Sequence, residues 1–151
     1  MFIPFLSSLI ACGAGPTDTT AADAALHACE HAGESEGTLP ESETTGNAVV
    51  LPMDGEPYTA ILADSVASYL AVQIEAPTLA ILFVGTADVA FDLFNGEESV
   101  GLPPAAPVES CPEDIPEHFE IDFDTIGTWY IQLGPTTVSD AVVSLAAAEA
   151  S

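Results

Sequence analysis

Apolar and polar side chains alternate with a period of two in many short segments beyond residue 48. In one of them Leu70, Val72 and Ile74 are separated by less apolar positions. Successive side chains of a strand point to opposite faces, so this period predicts strands with one buried face. Such segments, together with continuous apolar runs, predict about eight short strands, at 48–53, 58–63, 68–75, 78–84, 89–93, 119–123, 129–133 and 138–146.

The spacing of these strands indicates the fold class. Residues 78–84 are apolar on both faces, which is typical of a central strand. Asn95-Gly96 is a strong turn signal, and residues 101–116 carry five prolines and predict a long loop. Residues 48–151 are therefore predicted to form an all-β domain, an antiparallel β-sandwich of jelly-roll type.

A short helix is predicted ahead of this domain, at residues 20–32. At 100° per residue, one face of this helix is apolar and contains the cysteine, and it consists of Ala22, Ala25, Leu26 and Cys29. This face is predicted to dock on the domain, with His27 and His31 turned to solvent. Residues 33–47, rich in Glu, Gly, Ser and Thr, are predicted to be an acidic linker without packed structure.

The first twelve residues, MFIPFLSSLIAC, form a short apolar run that ends at a cysteine. The run is too short to cross a bilayer as a helix but has the length of a signal-peptide core. Leu9-Ile10-Ala11-Cys12 resembles the lipobox of bacterial lipoproteins. The chain departs from that family because it lacks a basic segment before the apolar run. The alternative is a buried strand with an ordinary core cysteine.

The lipobox resemblance implies a cellular location. In that family, fatty acyl chains such as palmitate are attached to the cysteine, and the peptide bond before it is cut. Residues 1–11 would then be a signal segment, Cys12 a membrane anchor and residues 12–19 a polar tether. The implied location is the bacterial cell envelope, on a periplasmic or exposed membrane surface.

The two cysteines that remain are an even pair, Cys29 and Cys111. Export implies an oxidising compartment, so a disulfide between them is the natural expectation. The alternatives are two free thiols or two soft metal ligands.

Charge excludes several classes of partner and activity. The chain has 24 Asp and Glu but no Lys or Arg, so its formal net charge is −24. It cannot neutralise a nucleic-acid backbone or be attracted electrostatically to anionic lipid. No basic clamp for phosphate, Gly-rich phosphate loop or G-x-S-x-G elbow occurs in the sequence. We therefore predict a protein that is not an enzyme and whose partner is a protein, a glycan or a cation.

Three histidines are candidate metal ligands. His27 and His31 are four residues apart, the spacing of zinc ligands on a helix, and His118 follows Cys111 by seven residues. Together they predict a site for zinc or copper. The alternative is three solvated surface residues, since Cys29 lies opposite the histidine pair. Asp88 and Asp92 are weaker candidates for calcium, with solvated edge residues as the alternative.

Two strands carry a further resemblance. Residues 86–96 (TADVAFDLFNG) and 127–133 (GTWYIQL) resemble strands of the bacterial pre-peptidase C-terminal domain. Residues 28–31 (ACEH), His118 and residues 133–135 (LGP) resemble parts of small secreted lipoproteins. The chain departs from the first family at Pro77 and lacks its closing Tyr strand. The resemblance implies a jelly-roll accessory domain that does no catalysis itself.

The sequence thus favours a non-catalytic, membrane-anchored lipoprotein that serves as a structural or binding module of the cell envelope. Tyr58, Tyr69 and Tyr130 are the aromatic side chains that could contact a partner. One alternative is a divalent-metal binding protein that uses the histidines, and another is an accessory module of a secreted hydrolase.

Overall fold

The computed structural model describes residues 21–147, which form one short α-helix and two mixed five-stranded sheets. Helix α1 spans Ala21–Glu30 and is too short to cross a membrane, and the described chain has no longer apolar helix that could. The strands are β1 (Thr38–Leu39), β2 (Val49–Val50), β3 (Tyr58–Ile61), β4 (Ser68–Ile74), β5 (Thr78–Val84), β6 (Phe91–Asn95), β7 (Glu98–Ser99), β8 (Glu117–Phe123), β9 (Gly127–Leu133) and β10 (Asp140–Ala147).

The first sheet has the order β1-β3-β10-β5-β8 and the second the order β2-β4-β9-β6-β7. Most neighbours are antiparallel, but β1 pairs with β3 and β2 pairs with β4 in parallel. The prediction of a purely antiparallel fold is therefore wrong at these two pairs. β1 and β2 are two-residue edge strands separated from their partners by other segments, so no tight hairpin reverses their direction.

The inner faces of both sheets contribute to a single buried cluster. Its fully enclosed members include Leu82 of β5, Phe123 of β8 and Ile131 of β9. The alternation seen in the sequence produces this arrangement, because every second residue of β8 and β9 is buried while the residues between them are more exposed. The predicted all-β character is confirmed.

Strand β5 is buried on both faces, as its sequence predicts. Its inner residues join the main core, while Ile81 and Phe83 on its outer face pack in a second cluster with the helix. Ala24 and Ala28 of α1 are the buried helical residues of that cluster, and Val108 of the proline-rich loop is a further member. A helix and a loop therefore shield Ile81 and Phe83 from solvent, whereas Leu79, near the beginning of the same face, is 43% exposed.

The docking face of α1 agrees only in part with the prediction, because Ala25 and Cys29 of the predicted face pack against the second cluster but are not its buried helical residues. Ala24 and Ala28 are buried, whereas Leu26 is 54% exposed and Ala22 is also exposed. The helix has its own alanines on several sides, so its sequence has no sharply defined apolar face. Small side chains also let the helix backbone lie close to β5 and β10. The histidines consequently lie at the border of the docking face.

Residues 33–47, predicted to be an unpacked linker, contribute to both sheet edges. Leu39 is 7% exposed and lies in β1, where it is paired with Ala60. Ser42 is buried, and its carbonyl accepts a hydrogen bond of 2.9 Å from the Tyr69 amide. The prediction failed because it rested on average composition, whereas one apolar side chain and several backbone hydrogen bonds hold this segment in place.

The signal segment, Cys12 and the tether lie outside the described residues. The predicted turn at Asn95-Gly96 connects β6 to β7, and Gly96 has a φ of 65°, which glycine adopts without strain. Between β7 and β8 the chain forms no regular strand, as the five prolines predict.

Candidate metal site

Helix α1 and the following turn place two imidazole rings side by side. The amide of His31 donates to the carbonyl of His27 at 3.2 Å, so the helical geometry continues through this turn. The ring centroids are 4.5 Å apart. The carboxylate of Glu56 completes a group, with its Oε1 3.3 Å from Nε2 of His27. One potential ligand atom from each residue lies within 4.8 Å of the other two.

Glu56 reaches the histidines from the loop between β2 and β3. Gly55 has a φ of 76°, and its amide donates to the carbonyl of Leu145 in β10 at 2.9 Å. The Glu56 amide donates to Oδ1 of Asp54 at 2.9 Å, which closes a short turn stabilised by a side chain. The loop is therefore fixed to the sheet through its backbone, independently of the helix.

A disulfide fixes the helix. Cys29 and Cys111 are joined, with their Cα atoms 5.8 Å apart, which confirms the predicted pairing. Cys111 lies in a compact turn, where the Ile115 amide donates to the Cys111 carbonyl at 2.9 Å. The histidine pair thus belongs to a helix that is covalently attached to the loop covering β5.

The cluster is half exposed and strongly acidic. The side chains of His27 and Glu56 are 41% and 32% exposed. Nδ1 of His31 lies 3.1 Å from Oε1 of Glu34. This hydrogen bond, more than the nearby charges of Glu34, Glu56 and Glu30, raises the pKa of His31 above its ordinary value of 6.5, against a smaller opposing effect of desolvation.

His118 does not belong to this group, so the predicted combination of three histidines is not the one that the fold brings together. Its Nδ1 lies 2.6 Å from the carbonyl oxygen of Ala106, and its ring lies near Phe83 at a centroid distance of 6.2 Å. It faces a groove lined by Ala21 and Ala22, at the beginning of the helix. The histidine pair lies at the other end of that helix.

The acids considered for calcium form no such group among residues 21–147. Oδ1 of Asp92 accepts the Leu93 amide at 2.8 Å, and its Oδ2 accepts the Ser99 hydroxyl at 2.9 Å. Asp88 adopts a left-handed backbone conformation with a φ of 69°. Both carboxylate oxygens of Asp92 therefore stabilise the β6–β7 hairpin locally.

The candidate contact tyrosines are only partly exposed. Tyr69 donates to Oε1 of Gln132 at 3.3 Å and meets Phe94 edge to face at 6.3 Å. Tyr130 is paired with Phe94 across β6 and β9. Tyr69, Tyr130 and Phe94 thus lie in β4, β9 and β6, which are neighbouring strands of the second sheet.

A small cavity adjoins the cluster. It measures about 80 Å³, and its lining includes His31, Gly55, Phe83 and Ser144. Ser144 is 6% exposed, and its hydroxyl oxygen has no hydrogen-bond partner within the described part of the chain. A buried hydroxyl of this kind is normally satisfied, so the cavity is suited to a water molecule or another small polar group.

The histidine pair is recognisable in the sequence, but Glu56 is not. The acid is 29 residues from His27 along the chain, and the two meet only because the loop is anchored to β10. Asp54-Gly55 is a recognisable turn signal that places Glu56 at the end of a turn. No local pattern relates that turn to the helix.

Tyr58 offers a test of the loop that carries Glu56. Its hydroxyl donates to Oδ2 of Asp54 at 2.7 Å, and this hydrogen bond is the largest of the causes that raise its pKa from 10.0 to about 12. Asp54→Asn is expected to lower the pKa of Tyr58 towards 10.0, measured by phenolate absorbance and assigned with Tyr58→Phe. Asp64→Asn, in another loop, should leave it unchanged. An unaltered titration in Asp54→Asn would contradict the assignment.

The same hydrogen bond determines the sign of a pH effect. The unfolded tyrosine ionises near pH 10, before the folded one, so the folded state holds the proton more tightly. The stabilisation is therefore complete below pH 10 and is lost as the pH rises from there to about 12.

Neither protein-family models nor curated proteins give a match to this chain.

Proposed function

We propose that the protein is a non-catalytic lipoprotein, anchored to a bacterial membrane through Cys12, that displays its β domain as a structural or binding module of the cell envelope. One observation carries the proposal. The disulfide engages Cys29 and Cys111, so the remaining cysteine of the three is the one in the lipobox-like sequence.

The disulfide also supports an exported protein, because such bonds persist in oxidising compartments. Its position suits an anchored domain. Helix α1 begins nine residues after Cys12, counted as 21 − 12, and Cys29 joins that helix to the loop over β5. The disulfide therefore ties the segment that follows the anchor to the loop over β5.

The domain itself suits a module that binds or supports. Its two sheets share one core, an arrangement that we interpret as a jelly-roll-like β-sandwich of the accessory type. Without Lys or Arg, the chain has no basic side chain to hold a phosphate or a carboxylate substrate. Its strong negative charge favours solubility and discourages contact with other acidic surfaces.

The test is acylation of the full chain in a bacterial membrane fraction. With a clickable fatty acid supplied to the cells, the parent protein is expected to carry label and to have an intact mass beginning at an acylated Cys12. Cys12→Ser is expected to abolish the label and to release the protein from the membrane.

The double variant Cys29→Ser/Cys111→Ser is the matched control, because it removes two cysteines but retains Cys12. It should remain labelled. A parent protein of unprocessed mass without acyl chains would overturn the proposal, as would label that survives Cys12→Ser.

A further inference from the structure

We propose that His27, His31 and Glu56 bind a divalent transition-metal ion, zinc or copper, between helix α1 and the β2–β3 loop. The proposal is independent of lipid anchoring. It replaces His118, a ligand candidate from the sequence, by an acid that only the fold brings near the histidine pair.

The distances fit such an ion. Ligand atoms about 2.1 Å from a tetrahedral metal are about 3.4 Å from one another. Nε2 of His27 and Oε1 of Glu56 are already 3.3 Å apart. The third ligand atom, from His31, lies within 4.8 Å of both, so a modest side-chain rotation would complete the set.

The donor atoms and the surrounding negative charge favour a bound cation. The two imidazole rings, with centroids 4.5 Å apart, each offer a ring-nitrogen lone pair to a metal. The neighbouring acids Glu30, Glu34 and Glu56 attract a cation. No Lys or Arg occurs anywhere in the chain to compete for these carboxylates.

The ligands are held by independent supports, which reduces the cost of ordering them. The disulfide and the alanine contacts fix the helix, while the hydrogen bond from Gly55 to Leu145 fixes the loop. Glu34 bonds to the ring of His31 and can orient it, as carboxylates commonly do for histidine ligands.

The donor set indicates the class of metal. Two imidazoles and one carboxylate suit zinc or copper, whereas calcium prefers six or more oxygen ligands. Three protein ligands leave a coordination position for water or a small anion. The cavity beside His31, where the Ser144 hydroxyl lacks a hydrogen-bond partner among residues 21–147, provides space for such a group next to the metal.

The experiment is calorimetric titration of the metal-free, full-length protein with zinc alone and then with copper alone, in the presence of excess calcium. One ion of zinc or copper per chain is expected, with histidine resonances assigned to His27 and His31 shifting in the zinc spectrum. Saturating zinc should also raise the thermal unfolding midpoint, because the ion binds the folded state preferentially.

Matched variants identify the ligands. Glu56→Gln is expected to weaken zinc binding by about tenfold or more, and the double variant His27→Gln/His31→Gln should bind no specific zinc ion. His118→Gln and Asp122→Asn, which remove a histidine and an exposed acid outside the cluster, should bind within about twofold of the parent. Circular dichroism of each metal-free variant verifies folding.

Any of three results would overturn the proposal. One is the absence of specific binding of either metal to the folded parent protein. The second is equal affinity in Glu56→Gln and in the controls, and the third is several ions per chain displaced by calcium, because either of these last two would mean that the acidic surface collects cations without a defined site.

Discussion

Replacing Phe123 with alanine is expected to lower the free energy of unfolding by about 3–5 kcal/mol, the range for removal of a buried aromatic ring. Phe123 is 0% exposed and lies at the end of β8 in the first sheet. Its ring meets Trp129 of the second sheet edge to face, with centroids 5.1 Å apart. The pair therefore connects the two sheets across the core.

The surroundings of Phe123 cannot easily fill the space that this substitution leaves. Nε1 of Trp129 donates to the carbonyl of Thr125 at 3.0 Å, which holds the indole in its position. A cavity that remains open adds its own cost to the lost burial. The loss for Phe123→Ala should thus be clearly larger than that for Phe123→Leu, which retains most of the side-chain volume.

Chemical denaturation monitored by the fluorescence of Trp129, the one tryptophan in the chain, measures this effect. Because the substitution also alters the environment of that indole, far-ultraviolet circular dichroism must give the same midpoint. Asp122→Asn, on the exposed face of the same strand, should change the unfolding free energy by no more than about 0.5 kcal/mol. A loss below about 1 kcal/mol for Phe123→Ala would mean that the sheets do not depend on this contact.

The long strands were predictable from sequence because their signal is local. β4, β5, β8 and β9 each extend over seven residues, and the alternation or apolar run that predicts them lies within the strand itself. β1 and β7 have only two residues each, too few to display a period. They form only where the edge of a sheet offers unpaired backbone groups.

Helix α1 was located correctly by its sequence, but its docking face was predicted correctly only at Ala25 and Cys29. A docking face can be predicted only where apolar and polar side chains contrast clearly around a helix. The large apolar Leu26 suggested one side, but Ala24 and Ala28 on another side are the residues that are buried. The face was decided by how closely the helix backbone could approach Phe83 and its neighbours. That depends on tertiary packing, which side-chain hydropathy does not encode.

The candidate site likewise combines a local feature that the sequence displays with a contact that only the fold creates. The spacing of His27 and His31 is a helical property and is readable in the sequence. The contribution of Glu56 depends on a hydrogen bond between its loop and β10, which begins more than 80 residues later, since 140 − 56 is 84. His118 was a reasonable candidate by proximity to Cys111, but the turn after that cysteine leads the chain to the opposite end of the helix.

The disulfide is the other feature with a large expected effect. Cys29→Ser/Cys111→Ser is expected to lower the free energy of unfolding by about 4 kcal/mol on the chain-entropy account. The bond joins residues 82 positions apart, so in the unfolded state it restricts the part of the chain from which most of the strands form. With all proteins produced without acylation, Cys12→Ser is the matched control, since it replaces a cysteine without opening this loop, and it should leave stability unchanged.

The helix should respond most strongly to loss of the disulfide. Its buried residues are only Ala24 and Ala28, and an isolated ten-residue helix is marginal in water. Amides of α1 are therefore expected to lose hydrogen-exchange protection in the double variant while those of β5 and β9 remain protected. Equal protection of α1 in both proteins, with unfolding free energies within about 1 kcal/mol, would show that alanine packing alone holds the helix.

A released helix would also separate His27 and His31 from Glu56, so zinc affinity should fall in the double variant and remain unchanged in Cys12→Ser.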